Sequence, residues 1–80
     1  MKIVFRPRAN KQFQKLPVGE KKKVVRKLKA LVQAPRTGKL LEGEYKGLRA
    51  VRAWPYRIIY GLAGDELVIY SVVHRQGAYK

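Results

Sequence analysis

Apolar residues change their spacing near the middle of this chain, and that switch narrows the fold more than any other feature. In the first half, Val24, Leu28, Leu31 and Val32 stand at i, i+4, i+7 and i+8, the stripe of a helix with one buried face. Val25 widens the stripe, while Lys21, Lys22, Lys23, Arg26, Lys27 and Lys29 occupy most of the remaining circumference. An earlier helix is marked by Ala9, Phe13 and Leu16, spaced by four and three. Pro7 suits its first turn, where a missing N–H costs nothing. Pro17 and Gly19 separate the two helices, the second running over about 18–33, and Pro35 ends it in an Arg36-Thr37-Gly38-Lys39 loop.

From residue 45 to 73 the chain is instead rich in Val, Ile and Tyr, with turn residues between the runs. Strands are expected at about 48–53, 56–62 and 66–73, the last two joined by an Ala63-Gly64-Asp65 turn. Lys2-Ile3-Val4-Phe5 reads as a first strand. The order β-α-α-β-β-β predicts an α+β domain spanning 1–80. Its N-terminal helical hairpin packs on one face of a mostly antiparallel, four-stranded sheet. The helix stripes need that sheet, and its other face is left free for function.

Eighty residues allow one domain with a small core. The chain has no cysteine, so neither disulfides nor thiolate metal ligation stabilise it, which is compatible with a reducing compartment. The start MKIVFRPRANK is charged almost at once, unlike a signal peptide, and the apolar runs fall short of a membrane span. A cytoplasmic protein with no membrane partner is expected. Nineteen Lys and Arg against five Asp and Glu give a net charge of +14. RNA, DNA, an anionic membrane surface or a very acidic protein would all match that charge; a merely solvated basic surface is the plain alternative.

Several chemistries are excluded. A two-metal nuclease needs convergent carboxylates, and the five here are Glu20 beside a lysine run, Glu42, Glu44, and Asp65-Glu66 at a hairpin tip. One histidine and no cysteine do not make a zinc site. Ser71 is the lone serine, and no glycine-rich phosphate loop occurs. No metal or cofactor is expected. What remains is a set of Arg, Lys and Tyr with one His. Such a set suits phosphoryl transfer, which asks mainly for positioning and neutralisation of charge on phosphate oxygens. RNA brings its own nucleophile, the 2′-hydroxyl.

Arg57, inside the apolar run Tyr56-Arg57-Ile58-Ile59-Tyr60-Gly61, has two readings. It pairs with Glu42 or Glu44 or lies over Tyr56 or Trp54, or it points from the open sheet face at phosphate. Arg49 and Arg52 have the same alternatives. Arg75 follows the final strand. Tyr79 is either a near-terminal tyrosine or a platform for an unpaired base. His74 is either a strand-end histidine or a proton-transfer group. The lysines of the second helix form a solvated face that also attracts nucleic acid.

The run LLEGEYKGLRAVRAWPYRIIYGLAGDELVIYSVVHRQGAY, with its L-x-G stretch, basic strand, Y-R-I-I-Y strand, hairpin and V-x-H-R ending in a tyrosine, resembles the C-terminal half of the RelE/ParE toxin superfamily. The first half resembles that superfamily's strand and helical hairpin. The RelE-like branch in particular is resembled, which implies a toxin that cuts mRNA in the ribosomal A site by 2′-OH attack without metal. The resemblance gives Arg57 the role of stabilising the transition-state phosphate, Arg75 that of stabilising or protonating the leaving group, and Tyr79 that of stacking on substrate. Arg52 falls on the basic strand, and Arg49, Lys46 and His74 are expected to contact RNA. Some RelE-like members carry two lysines on that strand, one proposed as general base; this chain has Ala50 and Arg52 there. Arginine stays protonated, so Lys46, His74 or a route with no dedicated base are left for that step. Trp54-Pro55 replaces a turn that usually contains glycine. The implied partners are an acidic, RelB-like antitoxin, mRNA and ribosomal RNA. ParE-like relatives share the fold and poison DNA gyrase, and an inactive nucleic-acid-binding relative is a third possibility.

Overall fold

The structure is a computed structural model that describes residues 1–75. Strand β1 (Lys2–Phe5) leads through Arg6 into helix α1 (Pro7–Gln14), with Pro7 in the first turn as its fixed φ favours. Pro17 then starts helix α2 (Val18–Gln33). Ala34 ends it, its N–H donating to the carbonyls of Ala30 and Leu31. A two-residue strand β2 (Lys39–Leu40) and a 3-10 turn (Gly43–Tyr45) precede β3 (Arg49–Ala53), β4 (Tyr56–Ala63) and β5 (Glu66–His74). The strands form one sheet in the order β1-β5-β4-β3-β2, antiparallel except where β1 runs parallel to β5.

The α+β class and the helical hairpin on one sheet face follow the sequence expectation, but among the described residues the sheet has five strands where the sequence predicts four. The additional strand is β2, in and just after the segment read as a loop. Its two residues are too few to show a period of two. Tyr60 and Arg49 fasten the chain ahead of it. The Tyr60 hydroxyl donates to the Pro35 carbonyl at 2.6 Å and accepts the Gly38 N–H at 3.0 Å. The Arg49 guanidinium donates to the carbonyls of Arg36 at 3.2 Å and Gly38 at 3.0 Å. A Cβ on Gly38 would lie 2.5 Å from the Tyr60 hydroxyl, so this approach needs glycine.

Ala9, Val24, Leu28 and Leu31 of the helices bury against Ala53, Ile58, Tyr60, Leu67, Ile69 and Val72 of the sheet. Val25, expected to widen the buried stripe, is 37% exposed; it sits about 100° round the helix from Val24, beyond the edge of the sheet contact. Alternation along β4 puts Ile58 and Tyr60 toward the helices and Arg57, Ile59 and Gly61 on the opposite face. That face is partly covered: Leu48 and Tyr70 lie against Gly61, and Ile59 and Val68 are buried outside the main core.

One irregularity governs the end of β5. Tyr60 pairs with Ile69, but Ile59 pairs with Ser71, so Tyr70 is an extra residue in the ladder. This bulge shifts the alternation by one. Leu67 and Ile69 face the helices before it and Val72 after it, and Val73 comes to the helix-free face opposite Arg57. β1 gives no partner beyond Ile69, and the Gln12 side chain of α1 accepts the Val72 N–H at 2.7 Å in its place. Among the described residues no helix is long and apolar enough to cross a membrane.

Candidate nucleic-acid interface

The β3–β4 ladder sets Arg52 directly opposite Arg57. Both lie on the face away from the helices, since their neighbours Ala53 and Ile58 belong to the core. Arg75 lies one residue past the end of β5 and lines the same hollow as Arg52 and Arg57. The Arg75 N–H donates to the Pro55 carbonyl at 2.8 Å, which fastens the end of β5 to the β3–β4 turn. Its guanidinium lies over the Trp54 indole, 4.9 Å from the ring centroid.

These constraints gather three guanidinium groups round one hollow of about 270 Å³, lined by Arg52, Trp54, Pro55, Tyr56, Arg57 and Arg75. A neighbouring hollow of about 220 Å³ shares Arg52 and Arg57 and adds Lys39, Leu41, Ala50 and Val51. Lys39 pairs with Ala50 across the β2–β3 ladder, which places its ammonium group on the arginine face. Like charges held opposite one another repel. An incoming phosphate relieves that repulsion and receives several charge-assisted hydrogen bonds. Among the described residues, no three of His, Asp or Glu form a metal-holding group.

The expected residues divide. Arg52, Arg57 and Arg75 come together. Arg49 does not: it has the parity of Ala53 and holds the carbonyls of Arg36 and Gly38. Lys46 is exposed at the end of the 3-10 turn and lines neither hollow. His74 lies on the other side of the β5 alternation from Val73 and meets the Tyr56 ring edge-on, centroids 5.5 Å apart. Tyr79 falls outside the described residues. Two wall residues escaped the sequence reading. The sequence places Lys39 in a loop and Trp54 in a turn; in the structure Lys39 lies on β2 and Arg75 stacks on Trp54. The departure from alternation in Leu67, Ile69 and Val72 is the sequence signal of the bulge.

Comparison with solved structures places this architecture among the toxins of the RelE/ParE superfamily. A chain of the RelBE2 toxin–antitoxin complex from Mycobacterium tuberculosis is 31% identical, with 92% of this chain and 96% of that chain covered and a TM-score of 0.82. The isolated RelE toxin of E. coli is 22% identical over 91% of this chain and 82% of that chain, at a TM-score of 0.78. The YoeB/ParE toxin from Agrobacterium tumefaciens is 18% identical over 92% and 98%, at 0.82. The sequence itself matches the family described as the ParE toxin of the type II toxin–antitoxin system parDE over residues 3–79. The chain belongs to that family and is a toxin of a type II toxin–antitoxin system. Comparison with curated protein sequences gave no match.

Proposed function

We propose that this toxin is a metal-independent endoribonuclease that cleaves mRNA on the ribosome. The observation that carries the reading is the convergence of Arg52, Arg57 and Arg75 on one hollow of the helix-free face. In the reaction, the 2′-oxygen attacks the adjacent phosphorus as its proton departs. The P–O5′ bond breaks, leaving a 2′,3′-cyclic phosphate and a 5′-hydroxyl end that has gained a proton. Charge builds on the non-bridging oxygens and on O5′, and preorganised guanidinium groups stabilise it. Arg57 and Arg52 serve the non-bridging oxygens, and Arg75 serves the leaving oxygen. Tyr79 stacks a substrate base; deletion of Tyr79-Lys80 tests that role, with loss of toxicity at unchanged Tm expected.

Lys39 adds a fourth cation beside the Arg52–Arg57 pair. Lys46 and His74, the earlier options for the base, line neither hollow, so this reading uses no dedicated base from them. Arg49 serves the fold through the carbonyls of Arg36 and Gly38. The partner is an acidic antitoxin that covers the basic surface; similar chains from M. tuberculosis RelBE2 and from a separate E. coli RelBE structure were solved in toxin–antitoxin complexes.

Induction in cells with mapping of mRNA 5′ ends tests the proposal. Codon-phased cuts that vanish in Arg57→Ala and Arg75→Ala support it. The family match to ParE toxin favours a second reading, a DNA gyrase poison. DNA damage without mRNA cuts would establish that reading and overturn the first, and growth unaffected by the wild type would point to an inactive relative.

A further inference from the structure

A larger hollow, of about 430 Å³, opens between α2 and the end of β3. One wall is the α2 face that carries Lys23, Arg26 and Lys27, and the opposite wall is Arg52 with Trp54. Positions three and four apart on a helix stand roughly 5–6 Å from one another, so the three α2 cations form a short track. The floor is Ala30 and Ala53, whose small side chains leave the space open. Lys23 holds Glu20 at 3.2 Å, a pair half open to solvent, which an anion of higher charge displaces at little cost. Arg52 and Trp54 also line the arginine hollow. The two spaces therefore share a wall, and the surface between them is cationic on both sides of a 57% exposed indole.

A positive groove beside an aromatic ring is the recurring way proteins hold a single-stranded nucleic acid without reading its sequence. We propose that this hollow is a second subsite for single-stranded RNA, occupied by the stretch of chain next to the phosphate in the arginine hollow. Lys23, Arg26 and Lys27 neutralise successive backbone phosphates, and the Trp54 indole stacks a base. The proposal rests on the ribonuclease reading for what fills the arginine hollow, but it concerns binding and is measured without cleavage.

The test uses a 2′-O-methylated oligonucleotide of about 12 residues, which lacks the nucleophile, and fluorescence anisotropy over a range of salt. The triple variant Lys23→Gln, Arg26→Gln, Lys27→Gln is expected to flatten the slope of log Kd against log salt by about 2, near 0.7 for each phosphate lost. Trp54→Ala is expected to weaken binding about tenfold with the slope kept. Because Trp54 also supports Arg75, Ala30→Leu is the second variant: it intrudes into the hollow without touching charge or Arg75, and roughly fivefold weaker binding at unchanged slope is expected. Wild-type affinity and slope in both the triple and the Ala30→Leu variants would overturn the subsite; if Arg57→Ala still weakens binding, the arginine hollow survives and only the second site falls. Weakening by the triple variant but not by Arg57→Ala leaves the subsite standing and removes the arginine hollow. A poly-glutamate peptide that binds through these residues while the RNA does not would assign the hollow to an acidic protein and overturn the proposal.

Discussion

Arg52 and Arg57 face each other across the β3–β4 ladder, so the fold holds two positive charges side by side on one surface. Like charges directly opposite one another in a sheet are destabilising. Natural proteins keep such pairs where function requires them, and stability is recovered when they are removed. Arg52→Gln should therefore leave the thermal midpoint unchanged or raise it, while mRNA cleavage falls at least tenfold. Differential scanning fluorimetry with and without a polyanion checks the first part. Added polyanion should raise the Tm of the wild type more than that of the variant. A lowered Tm in Arg52→Gln would show that Arg52 serves the fold.

The order of elements was legible because each leaves a strong local mark. The Val24–Leu28–Leu31 stripe, Pro7, Pro17 and Pro35 mark the helices, and the Gly64 turn, with φ of +59°, marks the β4–β5 hairpin. The strand β2 was not legible, because what places it is the long-range contact of Tyr60 and Arg49 with the chain at 35–38. Arg57 and Arg75 were legible as a pair only through a family pattern. What brings Arg75 to the hollow is its N–H on the Pro55 carbonyl and its guanidinium on the Trp54 ring, long-range contacts that leave no local mark in the sequence. Arg49 and Arg52 look alike in the sequence and differ by parity: three positions apart on a strand, they point to opposite faces, one to the loop carbonyls and one to the hollow.

Gln12 stands in for a missing strand at Val72. Gln12→Ala removes the acceptor of a backbone N–H in β5 and should cost about 1 kcal/mol, more if the N–H is shut off from water. Urea denaturation measures this as a lower midpoint at constant m-value. The same segment carries Val73 and Arg75, so cleavage should fall more steeply with temperature in the variant. Gln12→Glu, which keeps an acceptor, should recover most of the loss.

Tyr60 is fully buried, and its hydroxyl binds both Pro35 and Gly38. Tyr60→Phe keeps the ring and strands an N–H and a carbonyl, for a loss of about 1–3 kcal/mol. Because the hydroxyl sits where a Cβ of residue 38 would go, Gly38→Ala should cost less in the Tyr60→Phe background than in the wild type. A double-mutant cycle of denaturation free energies reads that coupling; strict additivity would show that the glycine is not constrained by this contact.

Trp54 positions Arg75 through its ring face. An exposed cation–π contact of this kind contributes about 0.5–1 kcal/mol, a two- to fivefold effect on any step that depends on the placement of the guanidinium. Trp54→Leu should therefore slow single-turnover cleavage by roughly that factor, and Trp54→Phe, which restores a ring face, should recover part of it. If Arg75→Ala abolishes the difference between Trp54 and its Leu variant, the ring acts through Arg75; if the difference persists, it acts on RNA directly.

Lys39 lies opposite Ala50 and beside the Arg52–Arg57 pair, so the hollow there has an amine supplied by a neighbouring strand. Two roles are open to an amine in that place, and one substitution separates them. Arginine keeps the positive charge but does not give up its proton. If Lys39 contributes charge to the phosphate oxygens, Lys39→Gln should lower cleavage about tenfold, one removed charge-assisted contact, and Lys39→Arg should retain most of the rate. If instead Lys39 accepts the 2′-hydroxyl proton, both variants should lose activity to the same extent. Single-turnover rates on programmed ribosomes, compared for the wild type and the two variants at one pH, decide between them.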